Sequence, residues 1–80
     1  MTTDAKPFPL TMASEGNRLR IVALHGGRTA SLRLTELGLN VGAEVEVLQR
    51  QGGGLLIARG EARIAIGGGL AAKVLVAAQV

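Results

Sequence analysis

Glycines divide this chain into short apolar segments, and this division is the sequence feature that most limits its possible folds. Twelve of the 80 residues are glycine, and they include runs at residues 52–54 and 67–69. Short apolar runs bounded by glycine are typical of β-strands that are joined by tight turns. We therefore expect a small β protein in which glycines lie at the turns between strands.

Period-two alternation predicts five strands, over residues 18–24, 44–50, 55–59, 61–66 and 74–77. Because successive side chains of a strand point to opposite faces, one face of each segment should be buried. The predicted shared interior consists of Ile21, Val45, Val47, Ile57, Ile64 and Val74. Residues 59–62 predict a two-residue hairpin, with Gly60 at the first central position of a type II′ turn.

Residues 29–37 predict one proper helix after the first strand, and residues 70–73 could add a single helical turn. Thr29 would cap the helix N-terminus, and Gly38 would supply the left-handed residue that ends it. Five short strands cannot bury both faces of an open sheet, whereas a sheet closed on itself has one core and few free edges. We expect such a barrel over residues 10–80, after a flexible tail at residues 1–9.

The composition offers little chemistry for catalysis or for metal binding. The chain has no cysteine, and His25 is its only histidine. One histidine without cysteine cannot build a transition-metal site within one chain. Glu44 and Glu46 share a strand face, but nearby arginines make cross-strand ion pairs the better interpretation. No G-x-S-x-G elbow is present. We expect no catalytic residue, no metal ligand and no cofactor.

The charge leaves nucleic acid open as an alternative partner. The net charge is +3, but the only aromatic residue is Phe8, in the predicted tail. Small barrels that bind nucleic acids usually stack bases on aromatic side chains. Binding to nucleic acid is therefore expected to be absent or purely electrostatic, and to fade steeply with added salt.

Neither a targeting segment nor a membrane span is predicted. Residues 1–10 lack the basic start and apolar stretch of a signal peptide. The longest uncharged stretches, residues 64–72 and 74–80, are too short or too rich in glycine for a span of ~20 apolar residues. We expect a cytoplasmic protein without direct membrane insertion.

The run GRTASLRLTELGLNVG at residues 27–42 resembles the RLxELGhxxG signature of FeoA-type proteins. The segments around it extend the resemblance, with residues 20–24 and 26–27 before the run and 63–67, 70–71 and 74–76 after it. Together they cover residues 10–77. Two departures are Val41, where a proline is common, and the absence of a frequent proline before Leu55.

The resemblance implies both a fold and a function. The implied fold class is all-β, a small five-stranded SH3-like barrel with one short inserted helix. The implied function is that of a non-enzymatic accessory or regulatory binding module of ferrous iron uptake. Its partner would be FeoB, a large membrane GTPase transporter, on the cytosolic side. The same domain is fused to metal-dependent repressors, so a metal-sensing domain that borrows ligands through oligomerisation is a second alternative.

The helix and the turn after it are the predicted partner surface. Helical residues point around the axis at about 100° each, so Leu32, Leu34, Leu37 and Leu39 cannot all face the barrel. An exposed leucine beside charged residues would make an apolar centre with a charged rim. The predicted contact residues are Arg33, Leu34, Glu36, Leu37 and Leu39. In the alternative arrangement, all four leucines cap the open end of the barrel.

Overall fold

The structure is a computed structural model that describes residues 6–79. Its elements in chain order are β1 (Phe8–Pro9), a 3-10 turn (Leu10–Met12), β2 (Arg18–Leu24), α1 (Gly27–Glu36), β3 (Glu44–Gln51), β4 (Gly54–Arg59), β5 (Ala62–Gly67), α2 (Gly68–Ala71) and β6 (Val74–Ala78). The six strands form one antiparallel sheet in the order β1-β6-β2-β3-β4-β5. Within the described residues, no helix is long and apolar enough to cross a membrane.

The predicted all-β, SH3-like fold class is confirmed, and the five predicted strands correspond to β2–β6. The expected closure of the sheet is incomplete among the described residues, because the edge strands β1 and β5 do not pair with each other. The sheet has one further strand, because Phe8 pairs with Val76 and Pro9 pairs with Leu75. Both residues belong to the segment 1–9 that we expected to be a flexible tail, so sheet pairing begins inside that segment. Residues 1–5 of the predicted tail lie outside the described part of the chain.

The interior is built from alternate residues of the strands, as predicted. Five of the six predicted core residues are buried, namely Ile21, Val45, Val47, Ile57 and Val74. The sixth, Ile64, packs against this core but is only partly buried. Its strand is the last one in the sheet, so no strand covers its outer side. Nine further residues complete the interior, and none of them was among the six predicted: Leu10, Ala13, Leu19, Leu34, Leu39, Leu55, Ile66, Ala71 and Val76.

Two irregularities in strand pairing accompany the curvature of the sheet. The register between β2 and β6 shifts between Ile21 and Ala23, and that between β3 and β4 shifts between Val47 and Gln49. An extra residue in one strand bends it and increases its local twist. The bulge also explains why Ala23 is only half-buried although simple alternation places it on the core face.

Each glycine run contains a residue that lies against the backbone of another segment. The turn between β4 and β5 has Gly60 at φ 60°, and among residues 6–79 no non-glycine residue, Glu61 included, has a positive φ. Both observations agree with the predicted type II′ hairpin. A Cβ atom on Gly54 would collide with the carbonyl oxygen of Ile66, and one on Gly68 with that of Gly53. These glycines therefore allow the β3–β4 hairpin to touch the junction of β5 and α2.

Helix α1 ends where predicted but begins earlier. Its first residue is Gly27, and Gly26 (φ 91°) precedes it without a side-chain cap, so the prediction that Thr29 caps the helix is wrong. At the other end, Gly38 has φ 86° and its N–H donates to the carbonyl of Thr35 at 2.9 Å. The N–H of Leu39 donates to the carbonyl of Leu34 at 2.8 Å, which completes a Schellman motif.

Arg50 holds the N-terminal segment against the sheet. Its Nη2 donates to the carbonyl oxygens of Thr11 at 2.6 Å and Ala13 at 2.5 Å. Its backbone N–H donates to the Glu15 carboxylate at 3.0 Å. One residue of β3 thus satisfies acceptors on the loop that leads from the 3-10 turn into β2, and it fixes that loop beside the barrel.

Candidate partner-binding surface

Helix α1 buries one narrow face and exposes the rest. Ala30 and Leu34 are four residues apart and therefore share the face that packs on the barrel, where they are 7% and 0% exposed. Leu32 lies about 160° around the helix from Leu34, because each residue advances by about 100°. It is accordingly 54% exposed. The apolar content of this helix exceeds what its packing face can bury.

The backbone conformation at the end of α1 determines where Leu37 and Leu39 lie. In a Schellman motif, the third residue before the cap commonly contacts the second residue after it, and these are Leu34 and Leu39 here. Both are 0% exposed, whereas Leu37 at the cap position is 41% exposed. Two leucines therefore face the core and two face solvent, so the alternative in which all four cap the barrel is wrong.

This burial corrects the predicted contact residues. Leu34 and Leu39 cannot touch a partner while the domain is folded, because they belong to its core. Arg33, Glu36 and Leu37 are exposed, as a contact role requires. Leu34 and Leu37 are three residues apart, which is compatible with one shared helix face, but only Leu34 reaches the barrel.

Val41 belongs to the same exposed surface, and sequence reasoning missed it. Asn40 to Ala43 form a turn in which the N–H of Ala43 donates to the carbonyl of Asn40 at 3.0 Å. Gly42 takes the third position with φ 94°, which leaves Val41 at the tip of the turn. Val41 is 61% exposed. The recognisable signal was the Val41-Gly42 pair itself, because the second residue of such a turn points outward.

We call five exposed residues from the second half of α1, its cap position and this turn the helix patch, and leave out the other exposed residues of α1, such as Arg28. It consists of Leu32, Arg33, Glu36, Leu37 and Val41. Among residues 6–79, the only ion pair within 4 Å joins Arg20 to Glu44, at 3.9 Å. Arg33 and Glu36 of the helix patch therefore do not form an ion pair with each other. The patch combines three exposed apolar side chains with one cation and one anion.

Arg59, the last residue of β4, lies next to the C-terminal end of α1. Its side chain packs beside Gly38, where an added Cβ atom would lie 3.5 Å from the Arg59 Cδ. The C-terminal end of a helix carries partial negative charge on its free carbonyl groups, so a guanidinium there is favourable. The β4–β5 hairpin thereby adds a second cation to the rim of this surface.

A shallow cavity of about 210 Å³ lies beside β2 and β3. Its lining residues are Arg18, Leu19, Glu44, Val45, Glu46, Ala58, Gly60 and Gln79. The Glu44 carboxylate accepts a hydrogen bond from Gln79 Nε2 at 3.3 Å and pairs with Arg20. Glu44 thus forms a cross-strand ion pair, but with Arg20 and not with Arg50, Arg59 or Arg63, the arginines expected to supply it. Glu46 forms no ion pair among residues 6–79.

Metal donors do not converge within the part of the chain that the structure describes. No three side chains of His, Cys, Asp or Glu there are close enough to hold one ion. His25 is exposed in the turn that precedes α1, and its backbone N–H donates to the carbonyl of Lys73 at 2.7 Å. The expectation of no metal ligand within the monomer stays a prediction.

Comparison with known proteins gives consistent results over nearly the whole chain. A family model described as "FeoA domain" matches residues 8–78. A Methanocaldococcus jannaschii protein named "Putative Fe(2+) transport protein A" is 36% identical over 69 residues, which is 86% of this chain and 84% of that protein.

Solved structures agree with the sequence matches. A crystal structure of "Iron Uptake Regulatory Protein (FeoA)" is 37% identical and superposes with a TM-score of 0.82, over 89% of this chain and 95% of that one. A "Manganese-dependent transcriptional repressor" superposes with a TM-score of 0.84 at 17% identity, over 99% of this chain and 45% of that one. At that identity the second likeness shows the fold alone.

Proposed function

The chain belongs to the FeoA family, and from this membership we propose that it is an accessory or regulatory binding module of ferrous iron uptake. Its partner in this proposal is an FeoB-type membrane GTPase transporter, which it contacts from the cytosol. The observation that carries the proposal is the match of residues 8–78 to the FeoA family, together with the 36% identity to a protein named for Fe(2+) transport.

The chemistry of the surface supports a role in contact rather than catalysis. Three large apolar side chains are exposed on α1 and the following turn: Leu32 at 54%, Leu37 at 41% and Val41 at 61%. Interfaces commonly place apolar side chains at the centre and charged groups at the rim. Arg33 and Glu36 supply such a rim on the helix, and Arg59 extends it.

The helix patch is the contact surface for the transporter in this proposal. Burial of Leu37 and Val41 against an apolar surface would remove the solvent-exposed area that the fold leaves uncovered. Arg33 and Glu36 would set the orientation through charge complementarity with the partner. Leu34 and Leu39 act only indirectly, because they hold α1 and its turn on the barrel.

Binding to the intact transporter tests this proposal. The full-length FeoB-type transporter of the same organism is placed in lipid nanodiscs, and the affinity of the domain is measured by biolayer interferometry. Leu37→Gln should weaken binding about tenfold or more, since the loss of a central apolar contact commonly costs more than ~1 kcal/mol. The thermal midpoint should stay close to that of the parent, because the side chain is already partly solvated.

Met12→Gln is the matched control, because it removes another exposed apolar side chain, 71% accessible, from the 3-10 turn. It should leave the affinity unchanged. Equal weakening by Met12→Gln and Leu37→Gln would place the contact elsewhere. If the parent domain has no measurable affinity for the transporter, the proposed partnership itself is wrong.

A further inference from the structure

We propose that the free edge of β5 pairs with β5 of a second copy of this chain, in antiparallel orientation about a two-fold axis. Strand β5 has β4 on one side and no described strand on the other. An edge strand presents a row of backbone N–H and C=O groups that can extend the ladder onto another chain.

This edge lacks the features that usually prevent such pairing. The opposite edge, β1, has only two residues and one of them is Pro9, which has no N–H to donate. Strand β5 has the sequence ARIAIG, with no proline and a single charge. It pairs with β4 over six consecutive positions without a register shift. The edge is therefore regular along its whole length.

The side chains of β5 are complementary to their own two-fold image. Residues opposite each other across an antiparallel pair point to the same face. With the axis at Ala65, that residue lies opposite Ala65 of the second copy, and Ile64 lies opposite Ile66. Arg63 then lies opposite Gly67, where the absence of a side chain leaves room for the guanidinium.

Repulsion between the two Arg63 side chains favours the register with the axis at Ala65 over the register with the axis at Ile64. An axis at Ile64 also keeps each face matched, but it separates the two Arg63 positions by only two residues, roughly 7 Å along the strand. The axis at Ala65 separates them by four residues, roughly 13 Å. Since like charges on one face repel, the axis at Ala65 is favoured.

Burial of Ile64 gives the pairing its apolar contribution. Ile64 is only partly buried in the monomer, whereas Ile66 is 6% exposed. A second strand would cover the open flank of Ile64 with Ile66 of the other copy. The strand is about 20 Å long, so the contact falls below the ~1,200 Å² of stable interfaces. We expect a reversible dimer that forms at high micromolar concentration.

Ala65 offers a test that depends on the register. This residue is exposed, so Ala65→Lys and Ala65→Glu should both leave the fold intact. Each variant alone places two like charges opposite each other, and its dimerisation should weaken roughly fivefold in sedimentation equilibrium. An equimolar mixture places lysine opposite glutamate, and dimerisation should recover to at least the parent level.

Gln49→Lys is the control for added charge, because Gln49 is exposed on β3, away from the edge. It should leave the dimerisation constant unchanged. In a dilution series followed by amide NMR, the concentration-dependent shifts should be confined to residues 62–67. A parent domain that remains monomeric at 1 mM would overturn the inference. So would a dimer whose shifts lie on α1, or one whose variants show no recovery on mixing.

Discussion

In the β3–β4 hairpin, the fold has room for an added methyl group at one glycine but not at its neighbour. Gly53 and Gly54 are neighbours in the same hairpin, and neither requires a positive φ. A Cβ atom on Gly53 would meet no atom within 4 Å, whereas one on Gly54 would collide with the backbone of β5. Only steric contact distinguishes the two positions.

We expect Gly54→Ala to destabilise the domain by about 1–3 kcal/mol, because β4 and β5 must separate to admit the methyl group. Gly53→Ala should change the free energy of unfolding by less than about 0.5 kcal/mol. Urea denaturation followed by circular dichroism measures both values. Equal stabilities for the two variants would show that the corner tolerates separation of the strands.

Residue-level prediction from the sequence succeeded where the cause was local. The positive φ of Gly38 and the hairpin at Gly60 follow from the turn or helix end that each residue serves. The contact between Gly68 and the carbonyl of Gly53 does not, because it joins residues that are distant in the chain. The staple from Arg50 to the carbonyls of Thr11 and Ala13 is unpredictable for the same reason.

At the scale of elements, α1 joins a structural role to an exposed surface. Its inner face, with Leu34, fills the interior together with Leu39 from the turn. Its outer face carries Leu32, Arg33 and Glu36. Substitutions on the two faces should therefore have separable effects on stability and on binding.

We expect Leu34→Ala to lower the free energy of unfolding by about 2–5 kcal/mol, because it removes a fully buried side chain and leaves a cavity. Leu37→Ala should cost less than about 1 kcal/mol, since its side chain is 41% exposed already. Thermal unfolding of both variants, recorded by calorimetry, gives the comparison. Similar losses at both positions would mean that Leu37 also supports the barrel.

Helical spacing predicted that some leucines of this segment stay exposed, but it could not identify them. Leu34 and Leu37 are three residues apart, which is compatible with one shared face. The helix ends at Glu36, between Leu34 and Leu37. The Schellman motif then returns Leu39, and not Leu37, to the core. The position of the helix end, rather than the helical period, decided which candidate contact residues were accessible.

For the whole molecule, the distribution of charged groups bears on whether the domain can bind a metal ion. The carboxylates of the described residues are spread over the surface, and Glu44 is engaged by Arg20 and Gln79. His25 stands in a turn without a second donor cluster beside it. Divalent iron prefers several nitrogen or oxygen donors held at one point.

We accordingly expect the domain to bind Fe²⁺ weakly or not at all when it is free in solution. Anaerobic titration calorimetry with Fe²⁺ should show no stoichiometric site of micromolar affinity. A stoichiometric site that disappears in His25→Ala would contradict this expectation. A matched experiment with Gln49→Ala controls for the loss of an exposed polar side chain that is not a metal donor.

The architecture of the whole was predictable because its strands follow the period-two pattern so closely. Five of the six residues that alternation placed in the interior are buried, and the sixth, Ile64, is only partly buried because it lies on an edge strand. Strand order and the two bulges depend on pairing between distant segments, which a single sequence does not display. The iron-related function came from the family resemblance, since no residue pattern here encodes it.

Strand β6 lies between β1 and β2, so residues near the two ends of the chain are hydrogen-bonded neighbours. The sheet therefore cannot be completed until β6 is available, and β6 follows the other strands of this domain in chain order. During synthesis, the edge of β2 that pairs with β6 would remain unpaired while β3, β4 and β5 already form consecutive hairpins. Pairings between such distant segments slow folding, because the entropy of closing a long loop is lost before the contacts form. This domain should accordingly remain accessible to chaperones and proteases in nascent chains until β6 has left the exit tunnel.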